Sequence, residues 1–486
     1  MKIKNIAIVG GGTAGFVAAL ILKARFTECN VDVIRSSKIG IIGVGEGSTE
    51  HWNEFMKYIG VSWRSVIKQC DATFKCGIMF KDWGVKDYLH STNADFETKT
   101  GQYHYIYGMK IAEGADQKSI TPQLVWKNQL DKAFLEETDP PFNQFHFNTN
   151  KLNSFLTEVA KLKGIRVIDD EIVDVLLDDT GNISRLVGHD GTYDYDFYID
   201  STGFKRLLIG KLGARWNSYS KFLKMNSAIV FPTPAEEERD IWTTARAMKY
   251  GWMFKIPVYD RNGNGYIFDR NYISADEAKQ EVELLLGKKI EIAKHIEFDP
   301  GALDKVWIKN CCAVGLSASF VEPLEASSIG TSIQQTFLLM HRLPNYDNDT
   351  IDSYNKDVSD ILDNIRDFVI LHYKTTRNDT DFWKDIRELA IPESLGRNLK
   401  KWRKNLPIEE DFSGVTKYIL FRETNYTHIL MGLDLFDQAA IREEYEMQRE
   451  DIKKIARETY DEVIENEKSA HAVGHKKFLD LIRQYY

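Results

Sequence analysis

The sequence predicts an α/β fold: a dinucleotide-binding parallel sheet of the Rossmann type, an antiparallel ribbon with a strand-rich layer, and a mainly helical C-terminal domain. Three patterns support this prediction. The apolar run IKNIAIV ends at the glycine turn GGGTAG, after which FVAALILKARF has helical spacing and VDVIR is a second strand. Alternating residues between 166 and 200, with D-x-G turns, indicate the ribbon. Beyond about residue 340 the chain is charged and helical.

These patterns predict two domains. Residues 1–340 form the nucleotide-binding module, and residues 341–486 form the helical C-terminal domain. Within the first module, residues 86–145 are polar and aromatic, contain three prolines and show no sustained period. We predict that 86–145 is an irregular insertion that contributes to the substrate side.

Composition excludes several classes of function. The net charge is −9 over 486 residues, with no basic run able to follow a phosphate backbone, so no nucleic-acid partner is expected. No apolar stretch is long enough to span a bilayer, and no membrane partner is expected. The five cysteines lack zinc or redox spacing and suit a reduced, cytoplasmic compartment. His471 and His475 stand four residues apart without a third ligand, so no metal site is predicted.

The glycine turn is typical of a pyrophosphate cradle. Gly10 permits the tight turn, Gly12 lets the backbone approach the phosphates, and Gly15 lets the helix pack on the strand. Thr13 and Ala14 begin the helix, whose N-terminus offers free N–H groups to an anion. The alternative is an ordinary β–α turn.

The expected acidic residue at the end of the second strand is absent. Arg35 stands near this position, and a guanidinium cannot accept a hydrogen bond from a ribose hydroxyl. We expect Arg35 to stack on adenine or to contact a phosphate. A preference for NADP is the second interpretation of Arg35.

Taken in order, the motifs of the chain resemble those of the flavin-dependent halogenases of the tryptophan halogenase family, of which it would be a divergent member. The matching segments cover nearly the full length: GGGTAG, GVGEGS (43–48), FKCGIMF (74–80), DSTGF (200–204), GWMFKIP (251–257), FVEPLE (320–325) and NYTHILMGL (425–433). The resemblance implies that FADH2 and O2 oxidise a halide to hypohalous acid, which a lysine then presents to an electron-rich aromatic carbon.

Two catalytic residues follow from this resemblance. Lys75 matches the family lysine, and its ammonium could donate to hypohalous acid or its amine could form a haloamine. An ordinary surface lysine is the alternative, and Lys81, which also follows a phenylalanine, is the decoy. Glu325 matches the second catalytic residue, which would orient the oxidant or accept a proton. Capping of the helix that begins near Ser327 is the alternative role for Glu325.

The resemblance also implies contacts with FAD and halide. FAD would contact the glycine turn, Arg35, the strap residues Gly45 and Glu46, and Leu316 and Pro323, while Asp200 would hold a cofactor-side loop by hydrogen bonding. The halide would lie on the backbone N–H groups of Ser327 and Ser328. The chain departs from the family with Ala326 and Ser328 in place of a serine and a glycine, which puts the halide preference in question.

On the substrate side, Tyr105 and Tyr107 align with the aromatic sandwich of the tryptophan-specific members. Phe254 replaces the second tryptophan of the element in GWMFKIP and retains a ring there. Core packing is the alternative for both tyrosines. Free tryptophan is not assigned as the substrate, because the family's C-terminal residues that grip it have no match after residue 433.

Three functions remain open at this point. The first is a halogenase supplied with FADH2 by a separate flavin reductase and acting on a small aromatic substrate of indole or phenol type with chloride, bromide or iodide. The second is a flavin monooxygenase that hydroxylates or epoxidises a small aromatic molecule. The third is a non-catalytic FAD-binding homologue. The substrate, the halide and the oligomeric state, for which a homodimer is considered, stay undetermined.

Overall fold

The computed structural model describes residues 3–40, 45–92, 103–115, 118 and 121–485. Its strands are β1 (Asn5–Val9), β2 (Asn30–Arg35), β3 (Glu46–Gly47), β4 (Thr73–Lys75), β5 (Gly77–Lys81), β6 (Tyr88–Ser91), β7 (Gln129–Asp131), β8 (Gln144–Phe147), β9 (Arg166–Asp169), β10 (Ile172–Leu177), β11 (Ile183–Gly188), β12 (Thr192–Tyr193), β13 (Phe197–Asp200), β14 (Trp216–Ser218), β15 (Ser227–Pro234), β16 (Thr243–Met248), β17 (Gly251–Pro257), β18 (Arg261–Phe268), β19 (Lys294–Glu297), β20 (Gly301–Leu303), β21 (Trp307–Ile308), β22 (Cys311–Ala313), β23 (Ser319–Phe320) and β24 (Ala472–Gly474).

The helices of the described residues are α1 (Thr13–Arg25), α2 (His51–Tyr58), α3 (Trp63–Gln69), α4 (Tyr103–Ala112), α5 (Gln123–Trp126), α6 (Thr149–Leu162), α7 (Leu207–Lys211), α8 (Ala275–Leu286), α9 (Ser327–Arg342), α10 (Asn348–His372), α11 (Asp381–Glu388), α12 (Glu393–Trp402), α13 (Glu423–Gly432), α14 (Gln438–Glu446), α15 (Glu450–Lys468) and α16 (His475–Tyr485). None of these helices combines the length and apolar character that crossing a membrane requires.

A six-stranded sheet forms the nucleotide-binding layer, with the strand order β21-β22-β13-β1-β2-β9. All its neighbours are parallel except β21 and β22. The strands at its centre are apolar on both faces, as a parallel sheet covered by helices requires. Helix α1 is buried along Gly15–Leu22 and packs between this sheet and α9. The predicted Rossmann-type sheet is therefore confirmed.

The strand-rich layer is a seven-stranded sheet with the order β19-β15-β18-β17-β16-β5-β6. Its strands are antiparallel except for β16 and β5, which run parallel. The predicted ribbon is the antiparallel set β10, β11 and β12. One large hydrophobic core runs beneath both sheets and into the C-terminal helices.

The segment 86–145 is more regular than its sequence indicates. Its described part contains β6, α4, α5, β7 and β8. These elements are short, and β7 pairs with the distant β24, so local periodicity carries little signal for them. Between residues 348 and 485 the regular elements are helices apart from β24, as the predicted fold class requires.

Candidate functional site

The glycine turn joins β1 to α1 with no space for side chains at two of its positions. Gly10 has φ +117°, and a Cβ there would lie 2.2 Å from the carbonyl oxygen of Ser201. A Cβ on Gly15 would lie 2.2 Å from the carbonyl oxygen of Gly10. A Cβ on Gly12 would meet no atom within 4 Å, so the turn opens there. An open glycine at a helix N-terminus is the cradle that a pyrophosphate requires.

This turn borders a cavity of about 970 Å³. A cavity of this size is sufficient for a large cofactor. Nearly all the residues predicted to contact FAD line it, together with both halide candidates and one substrate candidate: Gly10, Gly12, Thr13, Ala14, Gly15, Arg35, Gly45, Glu46, Leu316, Pro323, Ser327, Ser328 and Phe254. The cavity and its glycine cradle fit FAD.

Arg35 ends β2 at the edge of this cavity. Its Nη1 lies 3.4 Å from Thr157 Oγ1, and its guanidinium is 6.0 Å from the Phe16 ring centroid. Two acidic residues from the loop after β9, which pairs with β2, do line the same cavity: Asp170 and Glu171. The Asp170 carboxylate already accepts from the Tyr193 hydroxyl, so Glu171 is the candidate for a ribose contact. Local sequence carries no signal for Glu171, because this acid follows β9 and does not lie at the end of β2.

Asp200 does not line the cavity; it is fully buried at the end of β13. Its carboxylate accepts hydrogen bonds from the backbone of Thr202, Leu208 and Ile209 and from the hydroxyl of Ser317. These bonds tie the loop after β13 to the turn at Leu316, and both segments border the cavity. Asp200 thus holds cavity loops in place without facing the cavity.

The strap residue Glu46 faces the helix N-terminus. The Thr13 hydroxyl donates to Glu46 Oε2 at 3.1 Å. Burial raises the pKa of Glu46 to about 7, although the Thr13 hydrogen bond opposes this rise. Gly43 and Val44, the first two residues of the predicted strap, lie outside the described residues.

Lys75 is buried at the end of β4, with 1% of its surface exposed. Its Nζ donates to the carbonyl oxygen of Ser48 at 2.8 Å and to Gln144 Oε1 at 2.9 Å. Burial lowers the pKa of Lys75 to about 8, while Glu325 and Glu50 partly oppose the change. The surface-lysine alternative is therefore wrong for Lys75.

Glu325 is also buried and lies near enough to Lys75 to influence its charge. His90 Nδ1 lies 2.9 Å from Glu325 Oε2, and His372 Nε2 lies 2.8 Å from Glu325 Oε1. Burial alone would raise the pKa of Glu325, but the two histidines hold it at about 2. Both carboxylate oxygens therefore face histidines, and the capping alternative does not describe Glu325.

The turn after Glu325 starts helix α9. Ala326 adopts a left-handed conformation (φ 52°, ψ 31°) as the N-cap, and no side chain caps the helix. The backbone N–H groups of Ser327 and Ser328 thus belong to the free first turn of a 16-residue helix that borders the cavity. Residues other than Gly, Asn and Asp seldom adopt this conformation, so the surroundings must hold the Ala326 backbone in it.

A glycine separates the cavity from Lys75. Gly47 lines the cavity in β3. A Cβ added to Gly47 would lie 3.2 Å from the Ala326 Cβ and 3.6 Å from Lys75 Cδ. Lys75 and Glu325 do not line the cavity themselves, so Gly47 and Ala326 stand between it and the lysine.

The motif GWMFKIP forms β17 beside the cavity. Trp252 and Phe254 both line it, with ring centroids 6.1 Å apart. The Trp252 indole N–H donates to Glu322 Oε2 at 3.0 Å. This bond links GWMFKIP to FVEPLE, a connection that the sequence did not indicate.

The two tyrosines proposed for the substrate lie on α4, outside the cavity lining. Tyr107 is buried, and its hydroxyl meets His428 Nε2. The His428 ring centroid is 5.7 Å from that of His90, the histidine that contacts Glu325. Tyr105 is half-buried in the same small cluster. Tyr107 thus lies close to the Glu325 centre but has core contacts.

The motif NYTHILMGL forms α13 and completes this centre. Asn425 Nδ2 lies 3.2 Å from His90 Nε2, so Asn425 donates to one ring nitrogen while Glu325 faces the other. Burial lowers the pKa of His428 to about 3. The sequence analysis did not predict four residues of this centre, because their contacts join segments far apart in the chain. These residues are His90, His372, Asn425 and His428.

Comparison with known proteins places the chain in one family. The model of the tryptophan halogenase family matches residues 5–447. The 7-chloro-L-tryptophan 6-halogenase KtzR of Kutzneria sp. (strain 744) is 30% identical, with 90% of this chain and 94% of that protein covered. The tryptophan 6-halogenase SttH of Streptomyces toxytricini is also 30% identical, with 91% and 93% covered.

Solved structures agree over the whole chain. The crystal structure of a tryptophan halogenase from Shewanella frigidimarina superposes with a TM-score of 0.90 at 26% identity, covering 99% of this chain and 98% of that one. BrvH, a flavin-dependent halogenase from Brevundimonas sp. BAL3, gives a TM-score of 0.84 at 27% identity, with 99% of each chain covered.

Proposed function

The chain belongs to the tryptophan halogenase family and is an FAD-dependent halogenase, and from this premise we propose that it oxidises a halide with FADH2 and O2 and delivers the halogen through Lys75 to an electron-rich aromatic ring. One observation carries the proposal. Lys75 is buried beside Glu325, one glycine away from a cavity that fits FAD.

FAD, when bound as FADH2, supplies the electrons that reduce O2. We assign its phosphates to the N–H groups at the start of α1, next to Gly12. Arg35 would stack on adenine or contact a phosphate, and Glu171 is an acid able to accept from a ribose hydroxyl. Asp200 would keep the cofactor loops in place.

The halide would bind at the first turn of α9. The N–H groups of Ser327 and Ser328 are free of helical partners there, and the helix dipole favours an anion. Ala326 brings no hydroxyl to this site, so the donors at this turn come from Ser327 and Ser328. Chloride, bromide and iodide all remain candidate halides.

Lys75 would present the oxidant. At neutral pH its ammonium form predominates with a pKa of about 8, and it would hold hypohalous acid by a hydrogen bond toward the substrate. Glu325, kept ionised by its histidines, would orient this complex and stabilise the positive charge that develops on the ring.

The substrate would be a small aromatic molecule of indole or phenol type. The named relatives act on tryptophan or chlorotryptophan, which supports the indole class. Tyr105 and Tyr107 would border the ring site from the α4 side. We also propose that a separate flavin reductase supplies FADH2. A homodimer remains the proposed assembly.

A single-turnover assay tests this function. Chemically reduced FAD, O2 and a panel of indoles and phenols are supplied with chloride, bromide or iodide in turn. We expect a halogenated product only when halide is present, and none from Lys75→Ala, which retains FAD binding. Lys81→Ala is the control, because Lys81 ends β5 and is half-buried. A hydroxylated or epoxidised product without halide would instead establish the monooxygenase function.

A further inference from the structure

A second carboxyl of the FVEPLE motif faces the cavity. Glu322 is fully buried and lines it. Its Oε2 accepts from the Trp252 indole N–H at 3.0 Å and from the Tyr373 hydroxyl. Its Oε1 is buried and has no hydrogen-bond partner among the described residues. A buried polar atom without a partner is costly, which indicates that a ligand in the cavity contacts Oε1.

The surroundings of Glu322 favour its protonated form. No lysine, arginine or histidine of the described residues forms an ion pair with it. Burial raises the pKa of Glu322 to about 7, although the donors Tyr373 and Trp252 lower it in part. Since Oε2 already accepts two hydrogen bonds, the proton resides on Oε1 and can be donated into the cavity.

Glu325, three residues later, is ionised instead. Its two oxygens each face a histidine, which keeps its pKa at about 2. Two nearby carboxyls with separated pKa values are the arrangement by which one site provides both an acid and an anion. Glu322 belongs to the cavity and Glu325 to the Lys75 side of Gly47.

Halide oxidation needs an acid on the cavity side. The balance is FADH2 + O2 + X⁻ + H⁺ → FAD + HOX + H2O. FADH2 and the halide each give two electrons, and O2 accepts four. One proton is therefore consumed for each hypohalous acid formed. The later substitution, HOX + ArH → ArX + H2O, consumes none.

We propose that Glu322 is a further catalytic residue, the acid that donates this proton during halide oxidation; the inference rests on the proposed function. The O–H bond at Glu322 Oε1 breaks, and an O–H bond forms on the oxygen that leaves as water. The carboxylate left behind is reprotonated from solvent before the next turnover. Glu46 is the rival acid in the cavity, but the Thr13 hydroxyl already donates to it, and it adjoins the helix N-terminus, which favours an anion.

The protonation state can be measured without turnover. Infrared difference spectra of the protein with oxidised FAD should show the carbonyl band of a protonated carboxylic acid, which fades as the pH rises through about 7. Glu322→Gln should remove the Glu322 component of this band. Glu46 has a pKa of about 7 as well, so Glu46→Gln is the matched control: it should remove only the Glu46 component and leave the Glu322 component of the band in place. A spectrum in which Glu322→Gln removes no such band overturns the proposal.

Turnover gives an independent measurement. In single turnovers without aromatic substrate, trapped hypohalous acid and H2O2 are quantified across the same pH range. We expect the wild-type yield of hypohalous acid to fall as the pH rises through about 7, and Glu322→Gln to lower it roughly 100-fold, with H2O2 in its place. A Glu322→Gln yield and pH profile equal to those of the wild type overturns the proposal.

Tyr373→Phe keeps the test decisive if Glu322→Gln does not fold. Tyr373 donates to Glu322 Oε2 and so stabilises the carboxylate form. Its removal should raise the pH at which the yield of hypohalous acid falls, whereas an unchanged pH profile overturns the assignment. Absence of hypohalous acid from the wild type with every halide would refute the proposed function, while the infrared band still reports on Glu322.

Discussion

His372 Nε2 and Glu325 Oε1 form a buried hydrogen-bonded pair in the centre next to Lys75. His372 Nε2 lies 2.8 Å from Glu325 Oε1, and Nδ1 of the same ring lies 2.8 Å from the carbonyl oxygen of Phe368. Both ring nitrogens therefore face acceptors. His372 thus links the buried carboxylate of Glu325 to the backbone of α10.

The first prediction concerns this pair. His372→Gln leaves the Glu325 charge buried with less compensation, so we expect a loss of about 3–5 kcal/mol in the free energy of unfolding. Denaturant unfolding measures it. His341→Gln is the control, because His341 is exposed near the end of α9 and should change nothing. Equal stability of both variants would contradict the role of His372 in compensating the buried charge of Glu325.

The second prediction separates oxidant formation from its use. Glu325→Gln removes the negative charge beside Lys75 and leaves the cavity lining intact. We expect hypohalous acid to form at the wild-type rate while aromatic halogenation falls roughly 10²- to 10⁴-fold. A trap for hypohalous acid and product analysis measure the two steps. Parallel loss of both would place Glu325 in halide oxidation instead.

The third prediction is a pH dependence of halogenation at the Lys75 step. If the ammonium donates to hypohalous acid, the rate from added hypohalous acid should fall as the pH rises through about 8, where the proton is lost. Glu325 raises the pKa of Lys75, so Glu325→Gln should shift this limb to lower pH. A rate that increases through about 8 would instead indicate a haloamine formed by the neutral amine.

The fourth prediction contrasts two glycines of the turn. Gly12→Ala adds a Cβ in open space, so the protein should keep its stability but bind FAD at least about tenfold more weakly, a cost of about 1.4 kcal/mol. Gly15→Ala places a Cβ against the Gly10 carbonyl oxygen and should destabilise the fold itself. Flavin titration and thermal unfolding distinguish them. Unchanged affinity in Gly12→Ala would exclude the phosphates from this position.

Local patterns were sufficient to predict the nucleotide-binding sheet. A strand, a glycine turn and a helix are consecutive, and their side-chain spacing is visible in one stretch of sequence. Segment 86–145 was predicted as irregular because β7 is completed by β24, over 300 residues away. Short elements paired at such a distance leave no periodic signal.

Only the site residues that lie within a recognised motif were predicted from the sequence. The prediction named Lys75 and Glu325 by resemblance, and the structure brings them together in one buried centre. The histidines that hold Glu325 come from β6 and α10, and no spacing rule links residues 90, 325 and 372. Glu322 lies within FVEPLE, but only the folded structure shows that its Oε1 is buried without a hydrogen-bond partner in the described part of the chain. The roles of all these residues remain predictions.

Gly47 lies between the cavity, where the oxidant would form, and Lys75, where it would be used. Between the cavity and the Lys75 stem stand the Gly47 backbone, which has no side chain, and Ala326. The side chain of a valine in place of Gly47 would fill the space between Ala326 and the Lys75 stem. If the oxidant passes Gly47 on its way to Lys75, Gly47→Val should raise the trapped hypohalous acid and lower aromatic halogenation, and an unchanged ratio of the two would exclude this route.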